Sequence, residues 1–159
     1  LNFLRALIQR VSAASVTADG DVLATIGQGI LALVGVGQDD TDVDPHILAR
    51  KIVEIRLFPN AQADNFDLTV KDIHGKVLLI SQFTLYGATQ KGRRPSFTEA
   101  ARPEDAEVLF GRTLELFADT GLRVETGKFQ AHMSVEIHND GPVTVSLDSE
   151  QHTNLSRRI

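Results

Sequence analysis

The chain has 159 residues, 42% hydrophobic and 23% charged, a balance that predicts one soluble globular domain. It contains no cysteine, which excludes disulfides and thiolate chemistry, and its net charge of -5 argues against non-specific coating of nucleic acid. No apolar run reaches the roughly 18 residues of a membrane span, and the N-terminus lacks a signal-peptide pattern, so we expect a cytoplasmic protein without a membrane partner.

Strands dominate the beginning of the chain. Residues 5–11 are β-like, and residues 16–25 predict two short strands joined by Asp19-Gly20, a dipeptide typical of two-residue hairpin turns. Residues 30–36, ILALVGV, form a continuous apolar run next to glycines. Such a run predicts a central strand that is covered on both faces.

Two helices are predicted from their start signals. Asp44 is predicted to cap a helix with Pro45 at its first helical position, and this helix is expected to end near Pro59. Its apolar face consists of Leu48, Ile52 and Ile55. Pro103 begins a second helix that Gly121 is positioned to stop. Its apolar stripe consists of Ala106, Leu109 or Phe110, Thr113 or Leu114, and Phe117.

Further strands are predicted at residues 77–80 and 133–138, the latter with strict alternation of apolar and polar residues. A turn at residues 139–142 leads to another strand at residues 143–147, so a second hairpin is expected to close the fold. The tail at residues 149–159 is polar and without periodicity, and we expect it to be loose.

Two helices are too few to cover both faces of so wide a sheet. The expected fold is therefore α/β in the broad sense, with a two-sheet or barrel-like β core and two helices packed on one side, in three layers β/β/α. Residues 1–148 are expected to form this single domain.

Polar residues follow the apolar strand at residues 77–80. Ser81, Gln82 and Thr84 are expected to emerge where the sheet meets solvent, a common place for a binding site. Ser81 lacks the Gly-x-Ser-x-Gly setting of a hydrolase nucleophile. Gly35 and Gly37 lack the third glycine of a dinucleotide-binding turn.

Three cations cluster at Lys91, Arg93 and Arg94, and the two arginines stand between a flexible glycine, Gly92, and a stiff proline, Pro95. Arginine forks suit phosphate contacts, although composition alone favours an ordinary solvated loop. Gly141-Pro142 is by itself an ordinary turn with a trans bond. His132 and His138 are six residues apart, and no clustered ligand set is evident, so neither a metal nor a cofactor is expected.

Three motifs in their order along the chain resemble those of the D-aminoacyl-tRNA deacylases. They are SQFTLYG at residues 81–87, KGRRPSF at residues 91–97 and NDGPVT at residues 139–144. RALIQRVSAASV at residues 5–16 and ARPE at residues 101–104 match as well, so the resemblance covers nearly the whole chain. Chains of that family usually begin with methionine where Leu4 stands, which makes residues 1–3 an extra leader.

The resemblance implies an enzyme that hydrolyses the ester between a D-amino acid, or mischarged glycine, and the 3′-terminal adenosine of tRNA. It also implies a homodimer with the active site at the subunit interface. In the family the bond corresponding to Gly141-Pro142 is cis, and this loop enters the partner's pocket. Its backbone carbonyls accept from the substrate ammonium and leave no room for an L side chain, whereas glycine has no side chain to exclude.

The same resemblance assigns the other wall of the pocket to four catalytic residues, Ser81, Gln82, Phe83 and Thr84. The amides of Phe83 and Thr84 are expected to hold the ester oxygen as it becomes negative. A hydroxyl nucleophile at Thr84 needs a base that neither motif supplies, so attack by water is favoured.

Supporting roles are expected for residues outside that wall. Arg10 is expected to brace the glycine-proline loop, and Phe129 and Met133 either line an adenosine pocket or simply pack in the core. Lys91, Arg93 and Arg94 are expected to contact tRNA. Two alternatives remain open at this point: a module that binds aminoacyl-tRNA or a nucleotide without hydrolysis, and a structural dimerisation domain.

Overall fold

Strand β1 (Arg5–Ala18) organises the fold, because three other strands pair with it. In the computed structural model, which describes residues 4–150, β1 and β2 (Asp21–Ile26) form the predicted hairpin. Its turn residues Asp19 and Gly20 have φ angles of 52° and 82°, the left-handed conformation that this dipeptide tolerates.

The other elements follow in chain order. They are β3 (Gly29–Gly35), α1 (Val43–Glu54), β4 (Arg56–Phe58), β5 (Leu68–Thr69), β6 (Lys76–Ser81), a 3₁₀ turn (Phe83–Tyr86), α2 (Pro103–Ala118), β7 (Arg123–Thr126) and β8 (Ser134–Asp148). Among the residues described, no helix is both long and apolar enough to cross a membrane.

The main sheet has six strands and curls towards a barrel. One edge of β1 pairs along its length with β8, and the other edge pairs first with β3 and then with β2. Beyond β3 the order continues through β6 to β7, and both of these pairings are parallel. β4 and β5 form a separate small sheet. The barrel-like β core with two helices is therefore confirmed.

Two apolar clusters lie on opposite faces of this sheet. On one face, Ile30 and Val77 pack with Leu48, Ile52 and Phe110 of the two helices. On the other face, alternate residues of the same strands form a second core with the β1–β2 hairpin, made of Val11, Ala14, Val16, Ala24, Ile26, Leu31, Leu78 and Ile80. This arrangement matches the predicted burial of the central strands on both faces.

The predicted hairpin at the end of the chain is wrong. Residues 134–148 form one strand, and its two halves pair with the same edge of β1. Asn139 is opposite Val11, and Thr144 is opposite Gln9, so residues 140–143 bulge out beside Arg10. The turn-forming residues therefore make a bulge, because β1 is long enough to pair on both sides of it.

Other boundaries also differ from the prediction. α1 begins at Val43, so Asp44 lies in its first turn and is not the predicted cap. The helix ends at Glu54, because Leu57 and Phe58 are buried in β4 instead of continuing it. α2 begins at Pro103 as predicted, and Gly121 just beyond it has a φ angle of 78°. Three short strands, β4, β5 and β7, were not predicted from the sequence.

A leader and a loose tail were predicted at the two ends of the chain. The predicted leader at residues 1–3 and the tail from residue 151 onward lie outside the described residues. Ser149, the first residue of the predicted tail, is buried. Its Oγ donates to Asp44 Oδ1 at 2.6 Å and its amide donates to Leu4 O at 3.0 Å, so this residue is part of the packed domain.

Candidate active site

A cavity of about 580 Å³ opens beyond the carboxyl end of β6. Residues 77–80 of this strand are buried, and Ser81 at its end is partly exposed. Because β3, β6 and β7 are parallel, their carboxyl ends meet at this edge, which is where open α/β sheets place ligands. The cavity is lined by Ile80, Ser81, Gln82, Phe83, Phe97, Ala100, Ala101, Pro103, Phe129, Gln130, Ala131, His132, Met133 and Val135.

Three of the four predicted catalytic residues, Ser81, Gln82 and Phe83, line this cavity. Thr84 is exposed and lies outside the lining, with its Oγ1 accepting a hydrogen bond from Gln82 Nε2. The amides of Phe83 and Thr84 precede the first hydrogen bond of the 3₁₀ turn, which runs from Leu85 N to Gln82 O at 3.3 Å. Amides at the start of a helical turn are available to an external acceptor.

Phe129 and Met133 lie in the same cavity. The ring of Phe129 packs against Phe110 with centroids 6.1 Å apart, and a Cβ on Gly127 would lie only 2.5 Å from Met133 Sδ. Both side chains therefore contact the protein interior and the cavity. His132, which was considered only as a metal ligand, also lines the cavity, and its position between these two residues was the signal for it.

Gly141 and Pro142 are exposed and do not line the cavity of their own chain. The peptide bond between them is cis, as the resemblance implies. Asn139 and Thr144 close the bulge at its base: Val143 N donates to Asn139 Oδ1 at 3.1 Å, and Asn139 Nδ2 donates to Thr144 Oγ1 at 3.0 Å. The sequence analysis gave no individual role to Asn139 or Thr144.

Arg10 reaches the bulge from β1. The residue is 8% exposed, and its Nη1 donates to Leu57 O at 2.7 Å. Its Nε donates to Asp140 O at 3.1 Å, and the Asp140 carboxylate lies 3.4 Å from the same atom. The guanidinium thus connects the bulge to β4.

The basic residues Lys91, Arg93 and Arg94 lie on an exposed loop near the cavity. Ala88 and Ser96 close this loop with reciprocal backbone hydrogen bonds of 2.8 and 2.9 Å. Just beyond it, Phe97 lines the cavity and packs edge-on against Phe83, with centroids 5.1 Å apart. None of the three cations forms an ion pair with another described residue, which leaves their charges available to a ligand.

A buried carboxyl, that of Asp40, supports the cavity wall at Ala100. Asp40 Oδ2 accepts a 2.6 Å hydrogen bond from Gly37 N, and Gly37 pairs with Ala100 of the cavity wall. The other carboxyl oxygen is buried and has no hydrogen-bond partner among the described residues. The pKa of Asp40 is raised to about 7, chiefly by burial and in smaller part by the nearby Asp44 and Asp148 carboxylates, while the hydrogen bond from Gly37 acts to lower it.

The other histidines within residues 4–150 are separated from one another. His46 lies on α1, His74 in the loop before β6 and His138 on β8. Within residues 4–150, no three His, Asp or Glu side chains are grouped in a way that could hold a metal ion.

A family model described as D-Tyr-tRNA(Tyr) deacylase matches residues 7–148 of this chain. The chain belongs to this family. The match includes β1 from residue 7 onward, the strand-end residues that line the cavity, the basic loop and the bulge in β8, so all three motifs identified in the sequence lie inside it. The predicted family membership is confirmed.

Relatives in the deacylase family match almost end to end. A D-aminoacyl-tRNA deacylase of Thermotoga petrophila is 50% identical over 148 residues, which cover 93% of this chain and 99% of the relative. A D-aminoacyl-tRNA deacylase of Dehalococcoides mccartyi is 47% identical over 151 residues, covering 95% of this chain and 98% of the relative.

Two solved structures share the fold. A protein described as c-Myc DNA Unwinding Element Binding Protein has a TM-score of 0.85 and 38% identity, covering 90% of this chain and 97% of that chain. A probable eukaryotic D-amino acid tRNA deacylase has a TM-score of 0.79 and covers 91% of this chain and 98% of its own. Its identity is 15%, so that likeness concerns the fold alone.

Proposed function

We propose that this protein is a D-aminoacyl-tRNA deacylase. It hydrolyses the ester between a D-amino acid, or mischarged glycine, and the 3′-terminal adenosine of tRNA, and so proofreads aminoacyl-tRNA before translation uses it. The proposal rests on one observation above all. The family match spans residues 7–148, and within it the strand-end motif and the predicted adenosine-binding residues line one cavity. Since aminoacyl-tRNA is used by cytoplasmic translation, we place the activity in the cytoplasm.

The 3₁₀ turn supplies the electrostatic part of the reaction. The amides of Phe83 and Thr84 are free to donate to the ester carbonyl oxygen as it becomes negative, and donors that are already in place stabilise such a charge most effectively. Ser81 and Gln82 stand on the same wall and are assigned to position the substrate. The Gln82 amide, in turn, fixes the side chain of Thr84.

Water is the nucleophile in this proposal. Its oxygen adds to the carbonyl carbon, the bond from that carbon to the ribose oxygen breaks, and the leaving oxygen takes up a proton. Thr84 Oγ1 accepts from an amide, which does not remove its proton, so the threonine is not activated as a nucleophile. A ribose hydroxyl of the tRNA is available beside the ester to assist the proton transfer.

The remaining cavity residues bind the nucleotide end of the substrate. Phe129 offers a ring for stacking on the terminal adenine, and Met133 offers a polarizable thioether beside it. The exposed cations Lys91, Arg93 and Arg94 lie near the same opening and contact tRNA phosphates.

Chiral selection is assigned to a second copy of the chain. The bulge carrying Gly141 and Pro142 is exposed and lies outside the cavity of its own chain, so in a homodimer it is available to complete the partner's cavity. Its backbone carbonyls then accept from the substrate ammonium, and its backbone excludes an L side chain. Arg10 holds the bulge in position from behind.

The test is hydrolysis of D-Tyr-tRNA, L-Tyr-tRNA and Gly-tRNA across a dilution series. We expect turnover of the D and glycine substrates, little turnover of the L substrate, and loss of specific activity below the dimer dissociation constant. Binding of tRNA without hydrolysis would instead identify a non-catalytic binding module. A monomer with full activity would refute the shared active site.

A further inference from the structure

The 3₁₀ turn (Phe83–Tyr86) presents one end to the cavity and buries the other in the protein. Phe83 lines the cavity, whereas Tyr86 is only 1% exposed. Two backbone hydrogen bonds close the turn, from Leu85 N to Gln82 O at 3.3 Å and from Gly87 N to Thr84 O at 2.9 Å. A turn of four residues has few bonds of its own, so contacts with the rest of the protein set its orientation.

Arg5, at the start of β1, contacts the buried end of this turn in two ways. Its Nη1 donates to Leu85 O at 3.3 Å, and its guanidinium carbon lies 4.5 Å from the centre of the Tyr86 ring. Asp148 is opposite Arg5 in the β1–β8 ladder, and its carboxylate Oδ2 lies 3.9 Å from Arg5 Nε. A planar guanidinium is suited to make a hydrogen bond, a ring contact and an ion pair together.

The backbone of β3 lies against the same turn. Gly35 pairs with Arg5, and a Cβ on Gly35 would lie 3.0 Å from Gln82 O, 3.2 Å from Leu85 Cβ and 3.3 Å from Tyr86 Cδ2. The turn is therefore in close contact with a central strand as well as with the Arg5 side chain. Of these two supports, the side chain can be changed without altering the sheet.

We infer that Arg5 is a positioning residue for deacylation, which orients the 3₁₀ turn so that the amides of Phe83 and Thr84 meet the ester oxygen. This inference rests on the proposed function of that turn. Arg5 does not line the cavity, so it acts only through Leu85 and Tyr86. Its loss should therefore weaken the chemical step and leave substrate binding nearly unchanged.

The kinetic test compares Arg5→Met and Arg5→Lys with wild type on D-Tyr-tRNA. We expect Arg5→Met to lower kcat by about 10- to 100-fold with KM within about twofold, since small misplacements of oxyanion donors have effects of this size. Arg5→Lys keeps the charge near Asp148 and should restore part of kcat. Arg112→Met is the control. Arg112 forms an exposed ion pair with Glu115 on α2, and neither residue lines the cavity.

A spectroscopic test reports on the turn directly. Tyr86 is the only tyrosine and the chain has no tryptophan, so near-ultraviolet absorbance and fluorescence above the phenylalanine region come from this ring. We expect Arg5→Met to shift the Tyr86 spectrum and Arg112→Met to leave it unchanged. A wild-type kcat and an unshifted Tyr86 spectrum in Arg5→Met would overturn the inference.

A second variant, Asp148→Asn, tests the same contact of Arg5. If Arg5→Met does not fold, Asp148→Asn removes the carboxylate that orients Arg5 and should lower kcat in the same direction. An inactive wild-type protein would refute the proposed function, whereas an active wild type with unaffected Arg5 and Asp148 variants would refute the role of Arg5 alone.

Discussion

Arg10 Nε donates a 3.1 Å hydrogen bond to the carbonyl oxygen of Asp140, across the gap that the bulge leaves in the β1–β8 ladder. The Arg10 side chain therefore gives the bulge a hydrogen bond in place of one that the backbone of β1 does not form with it. Because the same guanidinium also bonds Leu57 O at 2.7 Å, this one residue connects the bulge with β4.

Arg10→Met should destabilise the protein and reduce activity. It leaves the carbonyls of Leu57 and Asp140 without their charged donor, and losing such a donor at a buried position costs about 2 to 4 kcal/mol. Urea denaturation measures the loss, and Arg112→Met, which breaks only an exposed pair, should stay within about 0.5 kcal/mol of wild type. Equal stability of Arg10→Met and wild type would contradict the bracing role.

Gly141→Ala should abolish most activity on D-aminoacyl-tRNA. The residue has a φ angle of 129°, and an added Cβ would lie 2.8 Å from Val143 Cγ2 and 3.0 Å from Arg10 Nη2. The bulge must shift to accept it, and we expect at least about a 100-fold fall in kcat/KM. Gly111→Ala is the matched control, since its Cβ meets nothing within 4 Å on α2 and activity should be retained. An active Gly141→Ala enzyme would remove the bulge from the mechanism.

Thr84→Ala should keep turnover within about tenfold of wild type, because the proposal uses the backbone amide of this residue and not its hydroxyl. Mass spectrometry of the enzyme during turnover should detect no aminoacyl adduct. The exposed Thr89→Ala controls for removal of a hydroxyl elsewhere in the segment. Trapping of an ester on Thr84 would replace direct attack by water with a covalent mechanism.

Arg93→Ala combined with Arg94→Ala should weaken tRNA binding and flatten its salt dependence. Each phosphate contact releases counterions, so removing two contacts should reduce the slope of log K against log salt by about one to two. Filter binding between low and physiological salt measures this slope. Substituting Arg50 and Arg112 of the helices removes equal charge, and an identical slope change in that control would show that the loop has no special contact with tRNA.

Asp40→Asn should stabilise the protein above neutral pH and have less effect in acid. The folded state raises the Asp40 pKa from 3.8 to about 7, so wild-type stability from this group is fully present below pH 3.8 and is lost as pH rises through 7. Asparagine cannot ionise and can still accept from Gly37 N. After allowance for solvent screening, we expect a gain of about 1 to 2 kcal/mol at pH 8.

Thermal denaturation of Asp40→Asn and wild type from pH 4 to pH 8 measures this difference. Asp39→Asn, at an exposed neighbouring residue, removes the same charge. An equal, pH-dependent gain in both variants would show that the effect does not belong to the buried carboxyl of Asp40.

Local patterns predicted the elements that local forces determine. The apolar run at residues 30–36 and the proline at Pro103 correspond to β3 and α2, because burial on two faces and a helical first turn leave clear signals in sequence. The bulge in β8 could not be predicted in this way. The sequence NDGP has the same turn signals in a hairpin and in a bulge, and the length of β1 decides between them.

In the cavity, too, local patterns predicted some residues, while tertiary structure decides the positions of others. A polar end after an apolar strand predicted a binding wall at Ser81, whereas the approach of Phe129 and Met133 to that wall depends on how α2 and β7 return the chain to it. The burial of Asp40 and the contact of Arg5 with Tyr86 are likewise tertiary. They join residues far apart in sequence, and neither carries a local signal.

The pairing of Arg5 with Asp148 also has a consequence for how the protein acquires its fold. β1 leaves the ribosome well before β8, and the strand that covers one of its edges is not complete until residue 148 has been synthesised. Such long-range pairing slows folding, since the intervening chain must be closed before the contact forms. We therefore expect the nascent chain to expose that edge of β1 until β8 has left the ribosome, and the barrel to be completed only after that point.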